Sequence, residues 1–95
     1  MNEYIQLVTV ELCRSSLGNI NKNFDSISFS ILTQKKIKIR FIMIEISIIE
    51  HDLVEDIIFE FEAMHWSSDV DKIEICLLND KGISPLENLV YKKFS

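Results

Sequence analysis

The chain has 95 residues, of which 47% are apolar and 26% charged, and its formal net charge is −5. This length predicts one domain over residues 1–95 with a single modest core. Sixteen isoleucines exclude a disordered coil, while two glycines, one proline and two cysteines exclude collagen-like and disulfide-rich secreted proteins. The isolated Cys13 and Cys76 are expected to be buried thiols of a cytoplasmic protein, with a disulfide or a reactive thiol as the alternative.

The charges are unevenly distributed along the chain. Residues 41–82 contain eleven carboxylates and two lysines, a net charge of −9, whereas residues 1–40 carry +3 and the tail +1. An acidic middle repels nucleic acids and anionic membranes and attracts a basic protein partner. The N-terminus has no signal-peptide pattern, and no apolar stretch reaches the roughly 20 residues of a membrane span. These features predict a cytoplasmic protein that binds neither nucleic acid nor membrane.

The first half of the chain has the composition of strands. Residues 4–13 are rich in β-branched and aliphatic side chains and predict a strand that is largely covered on both faces. Residues 14–24 predict a loop. Along residues 25–33, apolar side chains alternate with serines, which is typical of a half-buried strand, and residues 36–49 continue as its hairpin partner. The apolar alternation inverts near residues 41–43, which indicates either a β-bulge or a stretch that is buried on both faces.

A helix is predicted over residues 52–66, because Asp52 suits the N-cap and Glu55 completes a capping box. Its apolar positions form one stripe that packs on the sheet: Leu53, Val54, Ile57, Ile58, Phe61 and Met64. Residues 71–79 return to a strand, and residues 79–82 form a turn whose Gly82 suits a positive φ. For the tail, residues 84–94, a short helix is favoured over a final strand.

The element order β-β-β-α-β with a short C-terminal element predicts an α+β fold, in which one main helix covers one face of a mainly antiparallel sheet. A crossover through that helix would make the third and fourth strands parallel. One core is expected to contain Ile27, Phe29, Ile31, Ile57, Phe61 and Ile75. The opposite face of the sheet is expected to be open and to carry Ser26, Ser28, Ser30, Lys38 and Arg40.

Catalytic and cofactor patterns are missing from the sequence. Two glycines cannot build a phosphate-binding loop, and no serine or cysteine lies in a nucleophile motif. His51, between Glu50 and Asp52, has no second cluster to complete a metal site, and His65 is expected to pack near the end of the helix. We therefore expect no metal, no cofactor and no enzymatic activity.

The outer face of the predicted helix combines aromatic and acidic side chains. Aromatic residues supply binding energy at interfaces, while carboxylates steer a basic partner toward them. The alternative is that the aromatic side chains pack under a loop and the acids form an ordinary solvated face. The candidate partner-binding residues are Asp52, Glu55, Asp56, Phe59, Glu62 and Trp66.

A chain with this acidic centre and with residues 85–93 (PLENLVYKK) after a strand and turn resembles bacterial immunity proteins against toxins of contact-dependent growth inhibition or colicin type. The resemblance implies a nuclease-type toxin domain as partner, blocked by occlusion of its active site. A phage inhibitor of host defence would show the same features. From a different class, a structural domain that self-associates through the strand of residues 36–49 is also possible. A monomer or weak homodimer is expected.

Overall fold

The computed structural model of the chain describes residues 3–33, 36–65 and 69–94. Its elements are α1 (Glu3–Ser16), β1 (Phe24–Thr33), β2 (Lys36–Met43), α2 (Ile48–Met64), β3 (Asp69–Leu77) and β4 (Asn88–Lys92). The described strands form one four-stranded sheet in the order β3-β2-β1-β4. The α+β class is confirmed, but the predicted element order is wrong, since the chain begins with a helix and carries two helices.

The sheet is mixed. β1 is antiparallel to both β2 and β4, as the predicted hairpin requires, whereas β2 and β3 are parallel. The parallel pair follows from the crossover through α2, because a strand that returns to the same sheet through a helix keeps its direction. The sheet that was expected to be mainly antiparallel is therefore mixed, and its parallel pair lies where the crossover through the helix was expected to give one. The strand that was expected to self-associate, β2, lies inside the sheet with both edges paired, so its backbone is not available to a second copy.

The segment predicted as the first strand is helix α1. Val8 and Leu12 point inward and are fully buried, while Leu7 and Val10 are about half exposed. The helix packs against α2 and β4. The β-branched composition of this segment favours a strand, but that preference is weak and the packing of one helical stripe overrides it.

Helix α2 begins at Ile48, before the predicted start at residue 52, and β2 ends at Met43, before the predicted end at residue 49. Ser47 is the N-cap and forms a capping box with Glu50, so Asp52 lies within the helix and is not its cap. The predicted inward stripe is confirmed: Val54, Ile57, Ile58 and Phe61 are buried, and Leu53 and Met64 are partly buried.

Two interpretations were open for residues 41–43, which form the end of β2. Phe41, Ile42 and Met43 are all buried, which confirms that this stretch is covered on both faces. The register of the hairpin does shift here, between the pairs Phe24–Met43 and Ser26–Ile42. The extra residue is Asp25, so the irregularity belongs to β1 and not to β2.

One hydrophobic core lies between the sheet and the two helices. Ile27, Phe29, Ile57 and Phe61 are fully buried in it, as predicted. Ile31 and Ile75 are partly buried and pack against the same cluster. Val8 and Leu12 of α1 join this core, so both helices rest on the same apolar layer.

The opposite face of the sheet is covered by the connection between β3 and β4, residues 78–87, which we call the strap. The strap crosses β2 and β1 because β3 and β4 lie at opposite edges. The Leu86 backbone N–H donates to Ser28 Oγ at 2.8 Å, and Arg40 Nη1 donates to the Ser84 carbonyl at 2.8 Å. Ser26 and Ser28 are fully buried, so the expectation of an open serine face is wrong.

The tail ends in strand β4, and the favoured short helix is wrong. Residues 88–92 pair with β1, and the Asn88 side chain donates to the Phe29 carbonyl at 3.2 Å. Glu87 does not cap a helix, because its carboxylate accepts a hydrogen bond from Ser30 Oγ at 2.8 Å. The predicted turn of residues 79–82, at the start of the strap, is confirmed, with Gly82 at φ +77°.

Candidate protein-binding surface

The outer face of α2 is strongly acidic. The helix contains six carboxylates and no lysine or arginine. Five of these residues are exposed: Asp52, Glu55, Asp56, Glu60 and Glu62. Within the described part of the chain, none of the five forms an ion pair, and Glu60 alone has a side-chain partner, the Asn19 amide at 2.6 Å. The negative charge of this face is therefore not neutralised by other side chains of the described chain.

Phe59 is the exposed aromatic residue of the same face. Its side chain is 75% exposed, so the alternative in which it packs under a loop is wrong. Trp66, the second predicted aromatic residue, lies outside the described residues. Exposed aromatic side chains are enriched at the binding surfaces of proteins, so Phe59 and the carboxylates around it form a candidate binding surface.

A groove of about 390 Å³ runs between α2 and β3. Its buried or partly buried lining comes from Val54, Ile58 and Ile75, and the half-exposed Ile73 forms the wall on the strand side. Its exposed rim is formed by His51, Glu55, Phe59 and Glu62. Three predicted site residues, Glu55, Phe59 and Glu62, thus meet at one groove, whereas Asp52 and Asp56 are exposed on the helix but do not line it.

β3 forms one border of the groove and is an edge strand. Among the described residues it pairs with β2 only. The pairing has one irregularity, where Asp71 is inserted between the pairs Ile37–Val70 and Lys38–Lys72, and it is regular from residue 72 to residue 77. The residues of this stretch whose backbone groups face away from the sheet are Ile73, Ile75 and Leu77. The N–H and C=O of Leu77 are bonded to Asp80, whereas those of Ile73 and Ile75 have no partner strand among the described residues.

Basic side chains near β3 are engaged on the strap side of the sheet. Glu74 lies 2.8 Å from Arg40 and 3.5 Å from both Lys38 and Lys72. Burial raises the pKa of Glu74, but the hydrogen bond and charge of Arg40 and the two lysines outweigh burial and lower it. Lys38 and Arg40, which were expected on an open face, are thus occupied by Glu74 and the strap.

Helix α2 is held at its N-terminus by a polar network. Glu50 is buried, and its carboxylate accepts hydrogen bonds from Ser47 N and Oγ at 2.7 and 2.6 Å. The amides of Asn21 and Asn23 donate to it at 2.7 and 3.1 Å. These bonds, with Ser47 first, then Asn21 and Asn23, lower the pKa of Glu50 to about 2. The network fixes the start of the acidic helix to the connection between α1 and β1.

His65 holds the other end of α2. It is the C-cap residue and is buried, as expected of a packed histidine. Its ring stacks on Phe61 with centroids 5.4 Å apart, and its Nδ1 contacts the Glu11 carboxylate. Its Nε2 lies 3.1 Å from the Tyr4 hydroxyl. Sequence reasoning missed this link between the helices, because it placed Tyr4 and Glu11 on a strand.

The remaining candidates for chemistry are scattered. His51 is exposed at the groove rim, and nowhere in residues 3–33, 36–65 and 69–94 do three metal-ligating side chains come together. Both cysteines are free. Cys13 is exposed, which corrects the expectation that it is buried, and Cys76 is partly buried. Burial, followed by the charge of Glu74, raises the pKa of Cys76, so this thiol is less reactive than an ordinary one.

Comparison with protein-family models and with curated proteins finds no match to this chain. Neither described helix is long and apolar enough to cross a membrane.

Proposed function

We propose that the protein is an acidic binding protein that neutralises a basic protein partner through the outer face of α2. The observation that carries the proposal is the set of unpaired carboxylates around the exposed Phe59. A partner with lysines and arginines would find these carboxylates unengaged by other side chains of the described chain.

The charge on α2 favours fast and selective encounter. Carboxylates that cluster on one face create a local potential that attracts a cationic surface over a screening distance of about 8–10 Å. Charge of this kind increases the association rate more than it increases affinity. Short-range affinity would come from Phe59 and from the apolar groove beside it, because desolvated aromatic anchors dominate binding energy.

The class of partner follows from charge. Nuclease domains bind phosphate backbones through basic surfaces, and an acidic helix is complementary to such a surface. We propose a cytoplasmic immunity protein that covers the active site of a nuclease-type toxin, as the resemblance to immunity proteins implies. Inhibition by occlusion requires tight docking and no chemistry from the inhibitor itself.

The test looks for a nuclease-type toxin gene beside the gene of this chain and pairs the chain with the toxin domain that it encodes. Coexpression is expected to restore growth of cells that the toxin domain arrests. The association rate of the purified pair is expected to fall steeply as ionic strength rises, because salt screens the attraction. Reversing Glu55→Lys and Glu62→Lys together is expected to lower the association rate by about tenfold or more, which stopped-flow fluorescence measures.

A matched control separates local from overall charge. Glu3→Lys with Glu45→Lys changes the net charge by the same amount at two exposed positions outside α2, and it is expected to leave the association rate nearly unchanged. Equal effects of the two double variants, or an association rate independent of salt, would contradict a binding surface on α2. Failure of the chain to protect cells or to bind the toxin domain would contradict the immunity function itself.

A further inference from the structure

We infer that the outer edge of β3 receives an extended basic segment of the partner as a fifth strand, whose side chains fill the groove beside α2. This inference rests on the proposed function, since it names the part of a basic partner that the acidic surface receives. Addition of a strand to a free sheet edge is a known way in which proteins recognise extended peptides.

The backbone of β3 offers the first reason. An edge strand presents a row of unpaired N–H and C=O groups, and proteins usually guard such edges with short strands, bulges or charged side chains. In β3 the irregularity is confined to Asp71, near the start, and the six residues that follow are regular. Lys72, the one lysine of this stretch, lies 3.5 Å from Glu74, a residue that also pairs with Arg40 on the strap side of the sheet.

The groove offers the second reason. Ile73, which forms the wall of the groove on the strand side, remains 42% exposed. The groove volume of about 390 Å³ falls within the range of about 300–1,000 Å³ that binding pockets have. A strand that pairs with β3 would place every second side chain over this groove, which would cover Ile73 and the groove side of Phe59.

Charge determines which segment fits. The ionisable side chains that line the groove are Glu55, Glu62 and His51, and neither carboxylate has an ion-pair partner within the described residues. A neutral or acidic segment would leave these carboxylates without compensation. The groove-facing side chains of an added strand are every second residue, so lysines and apolar residues at those positions would meet the acidic rim and the apolar lining. The occupant is therefore an extended segment that carries both basic and apolar side chains on one face.

The experiment uses the full chain, labelled with ¹⁵N, and the synthetic peptide Lys-Thr-Val-Thr-Lys-Thr with blocked ends, whose lysines and valine share one face of a strand. About six residues span the regular stretch of β3 at roughly 3.3 Å per residue. We expect the peptide to shift the amide resonances of residues 72–77 and to slow the solvent exchange of the outward-facing amides of Ile73 and Ile75. The same peptide N-methylated at alternate residues keeps its charge but loses one row of donors, and it is expected to bind about tenfold or more weakly.

A pair of neutral substitutions tests the place of binding. Ile73→Ser removes the apolar wall of the groove and is expected to weaken binding by about fivefold. Leu89→Ser, at a residue of similar exposure on the opposite edge strand, is expected to leave binding unchanged. Circular dichroism of both variants verifies that each keeps the fold.

The outcomes separate this inference from the proposed function. Equal binding of the two peptides, or shifts confined to α2, would show that the surface attracts charge without adding a strand, and would overturn the inference. Failure of both peptides to bind would overturn it as well. The proposed function is decided independently by the toxin experiment, because the Glu55→Lys and Glu62→Lys effect does not require the edge of β3.

Discussion

The two edges of the sheet each carry a helix alongside a groove, yet they differ in backbone and in charge. At the β4 edge the strand has only five residues, and Val90 interrupts its register with β1. Grooves of about 520 and 200 Å³ lie between α1 and β4. The side chains of α1 and residues 87–93 together carry no net charge. At the β3 edge the strand has nine residues, and the neighbouring helix carries six carboxylates.

The difference shows two ways of keeping a sheet edge from pairing with a second copy. The β4 edge is short and irregular. Its lysines form hydrogen bonds within the chain: Lys92 donates to the Asp25 carboxylate at 2.7 Å, and Lys93 donates to the Lys22 carbonyl at 2.7 Å. Shortness and irregularity themselves discourage pairing there. The β3 edge is regular from residue 72 onward, and like charge would oppose its pairing with a second copy, since two copies would bring their acidic helices together. A basic segment meets no such repulsion.

Both edges rest on one shared core, and the largest expected effects test this. Phe61→Ala on the α2 side is expected to lower the free energy of unfolding by about 3–5 kcal/mol, and Leu12→Ala on the α1 side by about 2–5 kcal/mol, because both side chains are fully buried. Urea denaturation followed by circular dichroism measures both. Each variant is expected to unfold in one transition; two transitions in Leu12→Ala would show that the α1 side is a separate, weaker unit.

The contact between Glu11 and His65 joins the two sides. Glu11→Ala is expected to cost about 1–3 kcal/mol of unfolding free energy, because it leaves the buried imidazole without its partner. The exposed Glu3, changed to Ala, serves as the control and is expected to stay within about 0.5 kcal/mol of the wild type. Equal stability of the two variants would mean that the contact between Glu11 and His65 contributes little to holding α1 and α2 together.

Protonation of Glu50 is expected to loosen the acidic side in particular. Its pKa is lowered from 4.5 to about 2 in the folded chain, so the folded state is stabilised above the unfolded-state pKa and loses that stabilisation as pH falls toward 2. Glu50→Gln is expected to show a weaker dependence over this range and to be less stable than the wild type at neutral pH. Thermal unfolding at a series of pH values measures the dependence; parallel curves for the two chains would contradict the role assigned to the network.

The smallest expected effect on stability concerns Phe59. Because the ring is 75% exposed, Phe59→Ala is expected to change the free energy of unfolding by no more than about 0.5 kcal/mol. Its effect on the toxin complex is expected to be a faster dissociation rate with little change in association rate. A marked loss of stability would mean that the ring contributes to the core.

The central hairpin was predictable from the period-two alternation along β1, and the inward face of α2 from its helical spacing, because a periodic apolar pattern identifies the element that buries it. The burial of Ser26 and Ser28 was not predictable, since it depends on the strap. Helix α1 was not. Its inward positions Val8 and Leu12 follow a helical spacing, but Leu7 and Val10 are also apolar and remain half exposed, which hides the period. Only the packing of α1 on α2 and β4 distinguishes the buried apolar residues of α1 from the exposed ones.

The boundaries of α2 and the tail depended on partners distant in sequence. Both Ser47–Glu50 and Asp52–Glu55 have the spacing of a capping box, and the structure uses the first, whose Glu50 also binds Asn21 and Asn23. Ser84 and Glu87 have the same spacing, but Glu87 bonds to Ser30 on β1. The acidic surface was predictable because α2 was correctly identified, whereas the groove was not, since it required the position of β3.

The strap has a consequence for the order in which the chain assembles during its synthesis. β1 and β2 are neighbours in sequence and form the centre of the sheet, α2 then brings β3 to one edge, and β4 closes the other edge last. Local hairpins form early and long-range pairings late. Until residues 78–95 have left the ribosome, one edge of β1 is unpaired, and Ser26 and Ser28 lack the cover that buries them. A chain that stops after β3 would therefore expose the middle of its own sheet to neighbouring nascent chains.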